Sequence, residues 1–226
     1  MGLKMDSERP TSKQIRDRIC DELYIEIGEL GFSKPKAGKL HYLNSTDRHW
    51  KIYLEIHVSQ RWGEYNVEPM FIVNWSRIRE LRKEMEPELN HDHFLIGITF
   101  QNLMTARIPL GDQEAWKNVE DWDELYVPET GDIEPVLARI LDIFSRYGIS
   151  FLRDWSNKET ARQFVMKYGS HTAWHWLTAF ALIMETKGTE EACRWLRHVE
   201  DPNSIYGQEQ VDFLRANYCR GVSGAR

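Results

Sequence analysis

The sequence is poor in cysteine: Cys20, Cys193 and Cys219 are the only three in 226 residues, and they stand far apart. An odd number at such spacing offers neither a disulfide framework nor a CxxC metal or redox site, which predicts a reducing, cytoplasmic setting. Long apolar runs are missing as well. The longest, residues 172–184, is interrupted by His175 and falls short of the roughly 20 residues that a membrane span needs. Residues 1–10 carry Lys4, Asp6, Glu8 and Arg9 without an apolar stretch, so no signal peptide is expected there. No phosphate-cradling glycine loop, dinucleotide fingerprint, nucleophile elbow or H-E-x-x-H zinc signature is present. Positive charge is also in the minority, with 29 Lys+Arg against 35 Asp+Glu and a net charge of −6. That balance argues against binding a nucleic-acid backbone with the whole surface.

What is present suits a folded chain. Hydrophobic residues make up 42% and charged residues 28%, and a chain of this size can bury about 70% of its unfolded surface. Thr11 and Gln14 form a T-x-x-Q capping box. Ile15, Ile19, Leu23, Ile27 and Leu30 follow at helical spacing, and Gly31 supplies the left-handed residue that ends the helix. The period then changes to two. Trp50, Ile52, Leu54, Ile56 and Val58 alternate with His49, Lys51, Tyr53, Glu55, His57 and Ser59, which predicts a strand with one wet face. Leu40 and Tyr42 predict a shorter strand pairing with it. Phe71, Val73 and Trp75 predict another strand, and Phe94, Ile96, Ile98 and Phe100 a further one. Residues 76–86 read as a short charged helix stopped by Pro87.

From Asp132 onward the period is helical. Val136, Ile140, Ile143 and Phe144 mark one helix, and Ser156 with Glu159 predicts a capping box for the next. Residues 170–186 are apolar on most faces and predict a buried helix. Gly188 breaks the chain, Glu190 and Glu191 suit a new helix N-terminus, and Val211, Leu214 and Tyr218 mark a last helix. The expected fold class is α+β: an antiparallel sheet flanked by helices over residues 1–155, with a helical C-terminal segment, 156–226, packed on it.

Leu30-Gly31-Phe32 followed by Lys34, Lys36, Leu40, His41 and Tyr42, the strand running into Arg61-Trp62, Asp123-Glu124-Leu125, and Gly148-Ile149-Ser150-Phe151-Leu152 come in an order that resembles the bacterial domain of unknown function 4304 family. The resemblance spans about residues 14–165. It implies an α+β domain and brings no catalytic residue or substrate.

Four groups of residues are candidates for chemistry. The segment 111–134 holds nine carboxylates and one lysine, a net −8 that exceeds the charge of the whole chain, with Trp116, Trp122 and Tyr126 interleaved. Charge that steers encounter, together with rings that supply buried contact, suits a basic protein partner. Asp121, Trp122, Asp123, Glu124 and Tyr126 are the expected contact residues; turned inward, the same rings would only fill the core. The wet strand places Glu55 and His57 on one face with Tyr53. A covered face would make them an acid–base pair in a pocket, and an open one leaves them as solvated positions. His171 and His175, four apart in a helix, are a metal candidate lacking a third ligand. His91-Asp92-His93 is another pair without a third. Arg77, Arg79, Arg82 and Lys83 are offset by Glu80, Glu84 and Glu86.

The sequence therefore predicts a small cytoplasmic binding protein that needs no cofactor, avoids membranes and nucleic acid, and engages a basic protein as an immunity or inhibitor protein would. The alternative is an enzyme using His57, Glu55 and Tyr53.

Overall fold

The computed structural model describes residues 9–45, 50–88, 96–105, 125–168, 175–199 and 205–221. Helix α1 (Ser12–Ile27) starts at the expected capping box: Thr11 accepts from the Gln14 backbone N–H, and the Gln14 side chain accepts from the Thr11 N–H at 2.7 Å. A single 3-10 turn, Gly28–Leu30, tightens its end, and Gly31 takes φ +102° to release the chain.

A five-stranded antiparallel sheet follows, in the order β1-β2-β3-β4, with β5 on the outer edge of β3. The strands are β1 (Lys39–Tyr42), β2 (Trp50–Arg61), β3 (Glu64–Trp75), β4 (Ile96–Thr99) and β5 (Tyr126–Val127). The β2–β3 hairpin is longer than the alternation of Phe71, Val73 and Trp75 predicts. Pairing runs from Trp50↔Trp75 to Arg61↔Glu64, and the two-residue turn Trp62-Gly63 has φ of +46° and +97°, the mirror-image turn that matches strand twist. Pro69, which the sequence rule keeps out of central ladders, sits where the outer edge of β3 has neither β4, paired at 70–73, nor β5, paired at 65–66. The strand expected over Phe94 to Phe100 is shorter. Phe94 lies outside the described residues, and Phe100 opens helix α3 (Phe100–Thr105) with its ring fully buried.

Alternation divides the sheet faces. Leu40, Ile52, Leu54, Ile56, Phe71, Val73, Ile96 and Ile98 are buried beneath the helices. Helix α4 (Glu134–Ile143) runs through a π-helical segment, Phe144–Gly148, into α5 (Ile149–Asp154). The π segment lets Gly148 approach the sheet: a Cβ there would lie 2.8 Å from the Phe144 ring and 3.2 Å from Phe71 Cζ. Phe151 stacks on Phe71 at 4.7 Å, and Trp155 meets Trp50 at 5.7 Å.

Helix α6 (Lys158–Tyr168) is capped by Asn157, not by Ser156 as its S-x-x-E spacing suggests. The Asn157 Oδ1 accepts from the backbone N–H of Glu159 and Thr160, whereas the Ser156 hydroxyl donates back to the Arg153 carbonyl. An Asn one residue later competes better because its carbonyl reaches both free N–H groups. Helices α7 (His175–Lys187), α8 (Thr189–Arg197) and α9 (Ile205–Tyr218) complete the chain. Helix α7 is buried along most of its length, from Leu177 to Ile183, as its apolar composition requires. Residues 170–174 of the expected helix lie outside the described residues.

The cysteine expectation is corrected. Cys193 on α8 and Cys219 after α9 form a disulfide with Cα atoms 5.5 Å apart, and Cys20 is free and buried. Spacing along the chain could not show this, because the pairing depends on how α9 folds back beside α8. No helix among the described residues is long and apolar enough to cross a membrane.

Candidate binding surfaces

The distal end of the β2–β3 hairpin carries the most exposed large aromatic among the described residues. Trp62 is fully exposed and stands in left-handed backbone. Left-handed geometry strains a non-glycine residue, and asparagine or glycine is the usual occupant of this turn position. The turn is held from the N-terminal side: the Arg9 guanidinium donates to the Gly63 carbonyl, pairs with Glu129 at 2.7 Å and lies 5.7 Å from the centre of the Tyr65 ring.

Strand β5 pairs with this end of the hairpin through Tyr65↔Val127 and Asn66↔Tyr126. Val127 points into the core and Tyr126 is exposed, so one residue of alternation puts an aromatic ring on the polar face. Asp121, Trp122, Asp123 and Glu124 lie outside the described residues, as do Trp116 and the rest of 106–124. They lead directly into Leu125, whose carbonyl accepts from the Val67 N–H at 2.8 Å. Leu125 is therefore fixed to the hairpin end that bears Trp62 and Tyr126. Glu64 and Glu68 add exposed carboxylates there beside Arg61, and Glu129 is paired with Arg9. Trp62 is not among the candidates that charge and metal-ligand spacing single out; the Trp-Gly pair between two alternating runs is the signal that marks it.

The polar sheet face brings the expected acid–base residues together in altered company. The Glu55 carboxylate is largely buried, with 12% of its side chain exposed. It is shared between Lys39 Nζ at 3.0 Å and His57 Nε2 at 3.4 Å. A lysine thus already neutralises the carboxylate that would orient an imidazole. Tyr53 does not join His57: its ring packs edge-on against His41 at 4.1 Å. The cavity at the sheet end, about 110 Å³, is lined by Asn66, Glu68, Pro69, Thr99, Gln101 and Leu125 among others. It occupies the gap between β4 and β5, away from Glu55 and His57.

His175 stands at the start of α7 against Trp176, 4.6 Å between ring centres, with Nδ1 buried and unpaired. Burial pushes its pKa down to about 4, the behaviour of a packed imidazole. His171, His91, Asp92 and His93 lie outside the described residues. Among the described residues no group of three or more His, Cys, Asp or Glu side chains is placed to hold a metal ion. The basic helix α2 (Ser76–Met85) is balanced as expected: Arg77 pairs with Glu80 at 3.3 Å and Arg82 with Glu86 at 2.6 Å. No protein-family profile, curated protein or solved structure matches the chain.

Proposed function

We propose that the chain is a small binding protein that engages a basic protein partner, immunity- or inhibitor-like, through the distal end of the β2–β3 hairpin. Trp62 and Tyr126 are its anchors, and the acidic segment with Asp121, Trp122, Asp123 and Glu124 attracts the partner. The observation that carries the reading is Trp62: a fully exposed indole held in strained backbone at the hairpin end that β5 joins, β5 lying within the 111–134 segment of net charge −8. Strain kept at an exposed aromatic is more economically explained by contact than by folding, and tryptophan and tyrosine dominate binding energy when they enter pockets. The resemblance to the domain of unknown function 4304 family and a cytoplasmic setting are compatible with this reading and add no residue to it.

The test is a photo-crosslinking amino acid at position 62 in the native host, followed by purification of the captured protein and direct binding measurements. A basic partner is expected, with affinity falling at least tenfold in Trp62→Ser and Tyr126→Ser. Reversing Asp121, Asp123 and Glu124 to lysine should slow association and flatten its salt dependence. Unchanged affinity of the purified partner for both aromatic variants would overturn the reading. The enzyme alternative retains one supporting contact, Glu55 with His57; turnover of a small molecule that is lost in His57→Gln would favour it.

A further inference from the structure

The opposite end of the polar sheet face gathers positive charge. Lys36 and Lys39 pair across the two-residue turn Ala37-Gly38, each donating its N–H to the other's carbonyl at 2.9 and 3.1 Å. Paired residues of an antiparallel ladder point to one face, so both ammonium groups rise on the same side. Lys39 in turn opposes Glu55, and His41 opposes Tyr53. Lys51 lies two residues before Tyr53 and shares its face. Register alone therefore collects Lys36, Lys39, His41, Lys51 and Tyr53 into one patch.

This arrangement works against stability. Like charges directly opposite each other in a ladder repel, and the turn that opposes Lys36 to Lys39 holds Ala37 at φ +52°, a left-handed conformation that alanine adopts at a cost. Among the described residues, Glu55 pairs with Lys39; no ion pair joins a described carboxylate to Lys36 or Lys51. Among the described residues of this face the three lysines outnumber that carboxylate, a local charge of +2 in an acidic chain. The field is felt within the patch: burial first, then Lys51, Lys39 and Lys36, lower the His41 pKa. The edge-on pair of His41 and Tyr53, 4.1 Å between ring centres, sits between the lysines and contributes a ring N–H and a phenol hydroxyl as further donors.

We propose that this patch is a binding site for a phosphate-bearing small molecule. Ammonium groups on one face, with neutral donors between them, suit an anion of several oxygens and more than one charge. A bound phosphoryl group would remove the Lys36–Lys39 repulsion and make the strained turn useful. Its negative charge would also replace the field that now disfavours protonation of His41, so binding would draw a proton onto that imidazole. Among the described residues, the charged groups acting on His41 are Lys36 from the turn, Lys39 on its own strand and Lys51 from β2, with Glu55 of β2 opposite Lys39. The site lies roughly 30 Å along β2 from Trp62 at the strand rise of about 3.3 Å per residue, so it stands or falls independently of the partner-binding reading.

The experiment is an NMR titration of the His41 ring resonances in the full chain with inorganic pyrophosphate at constant ionic strength. The expected result is a saturable shift with a His41 pKa raised by about one unit or more. The Lys36→Ala/Lys51→Ala variant, both positions being exposed, should bind at least tenfold more weakly while keeping the thermal midpoint. Lys167→Ala, on helix α6, is expected to bind as the parent does. A shift that does not saturate, or that chloride of equal ionic strength reproduces, overturns the proposal. So does undiminished binding in the double variant.

Discussion

The Tyr218 hydroxyl donates to the Glu84 carboxylate, and the Arg77 guanidinium lies 5.9 Å from the centre of the same ring. The last turn of α9 is thereby fastened to α2, which extends from the far end of the hairpin that begins at Trp50. Burial and the Glu84 carboxylate both raise the Tyr218 pKa. Phe180 of α7 packs against the same tyrosine at 5.7 Å, so Tyr218 links α7 and α9 to α2.

The residue after this tyrosine is Cys219, and its bond to Cys193 closes a loop with a sequence separation of 26. Chain-entropy arguments give such a loop about 3.5 kcal/mol. Urea unfolding of the oxidised protein should therefore exceed that of Cys193→Ser/Cys219→Ser by an amount of this order. Adding dithiothreitol should bring the parent down to the variant. If both proteins unfold alike without reductant, the pair is held as thiols, as a reducing compartment would keep them.

Gly148 tests the π-helical segment. A methyl group there meets Phe144 and Phe71 inside van der Waals distance, and both rings are buried, so neither can swing into solvent. Gly148→Ala should destabilise by about 1–3 kcal/mol, whereas an alanine in a regular exposed helix would stabilise. Equilibrium unfolding with an unchanged m-value reads this out.

His175 sets a pH window. Its folded pKa of about 4 lies below the ordinary histidine value of 6.5, so between these values the unfolded chain binds more protons than the folded one. Stability is therefore full above pH 6.5 and falls as the pH drops towards 4, by up to about 2 kcal/mol at pH 5. Glu159, held down to about 2 first by its hydrogen bond from Arg162, loses its contribution in a lower window, between pH 4.5 and 2. Urea midpoints at pH 7.5, 6 and 5 should decline in the parent and stay flatter in His175→Gln. Parallel decline in the two proteins would place the titrating group elsewhere.

The sequence made the core face legible wherever burial imposes a period. The capping box at Thr11, the alternation from Trp50 to Val58 and the apolar helix around Phe180 all depend on neighbours close along the chain, and all are found. What escaped it depends on contacts between distant segments. Asn157 displaced Ser156 as the cap through a difference in reach, and Cys193 met Cys219 only because α9 returns to α8. Glu55 was recognised as a neighbour of His57, but Lys39, which neutralises it, arrives through the β1 register. Tyr53 turned to His41 for the same reason. The candidate site was thus legible as a list of residues on a face, and its electrostatics required the pairing.

Trp62 offers the sharpest separation of folding from function. Its left-handed backbone at φ +46° is followed by Gly63 at +97°, the geometry that Asn-Gly fills with least strain. The fully exposed indole has no burial to lose on replacement. Trp62→Asn should therefore raise stability, by about 1 kcal/mol on the cost of left-handed backbone for an ordinary residue, and should do so with no change in m-value. The same substitution should weaken the basic partner at least tenfold. A residue selected for the turn would show the reverse, a loss of stability with binding intact. Gain of one property against loss of the other is the signature of strain kept for contact. Denaturation and binding curves on a single purified variant measure both.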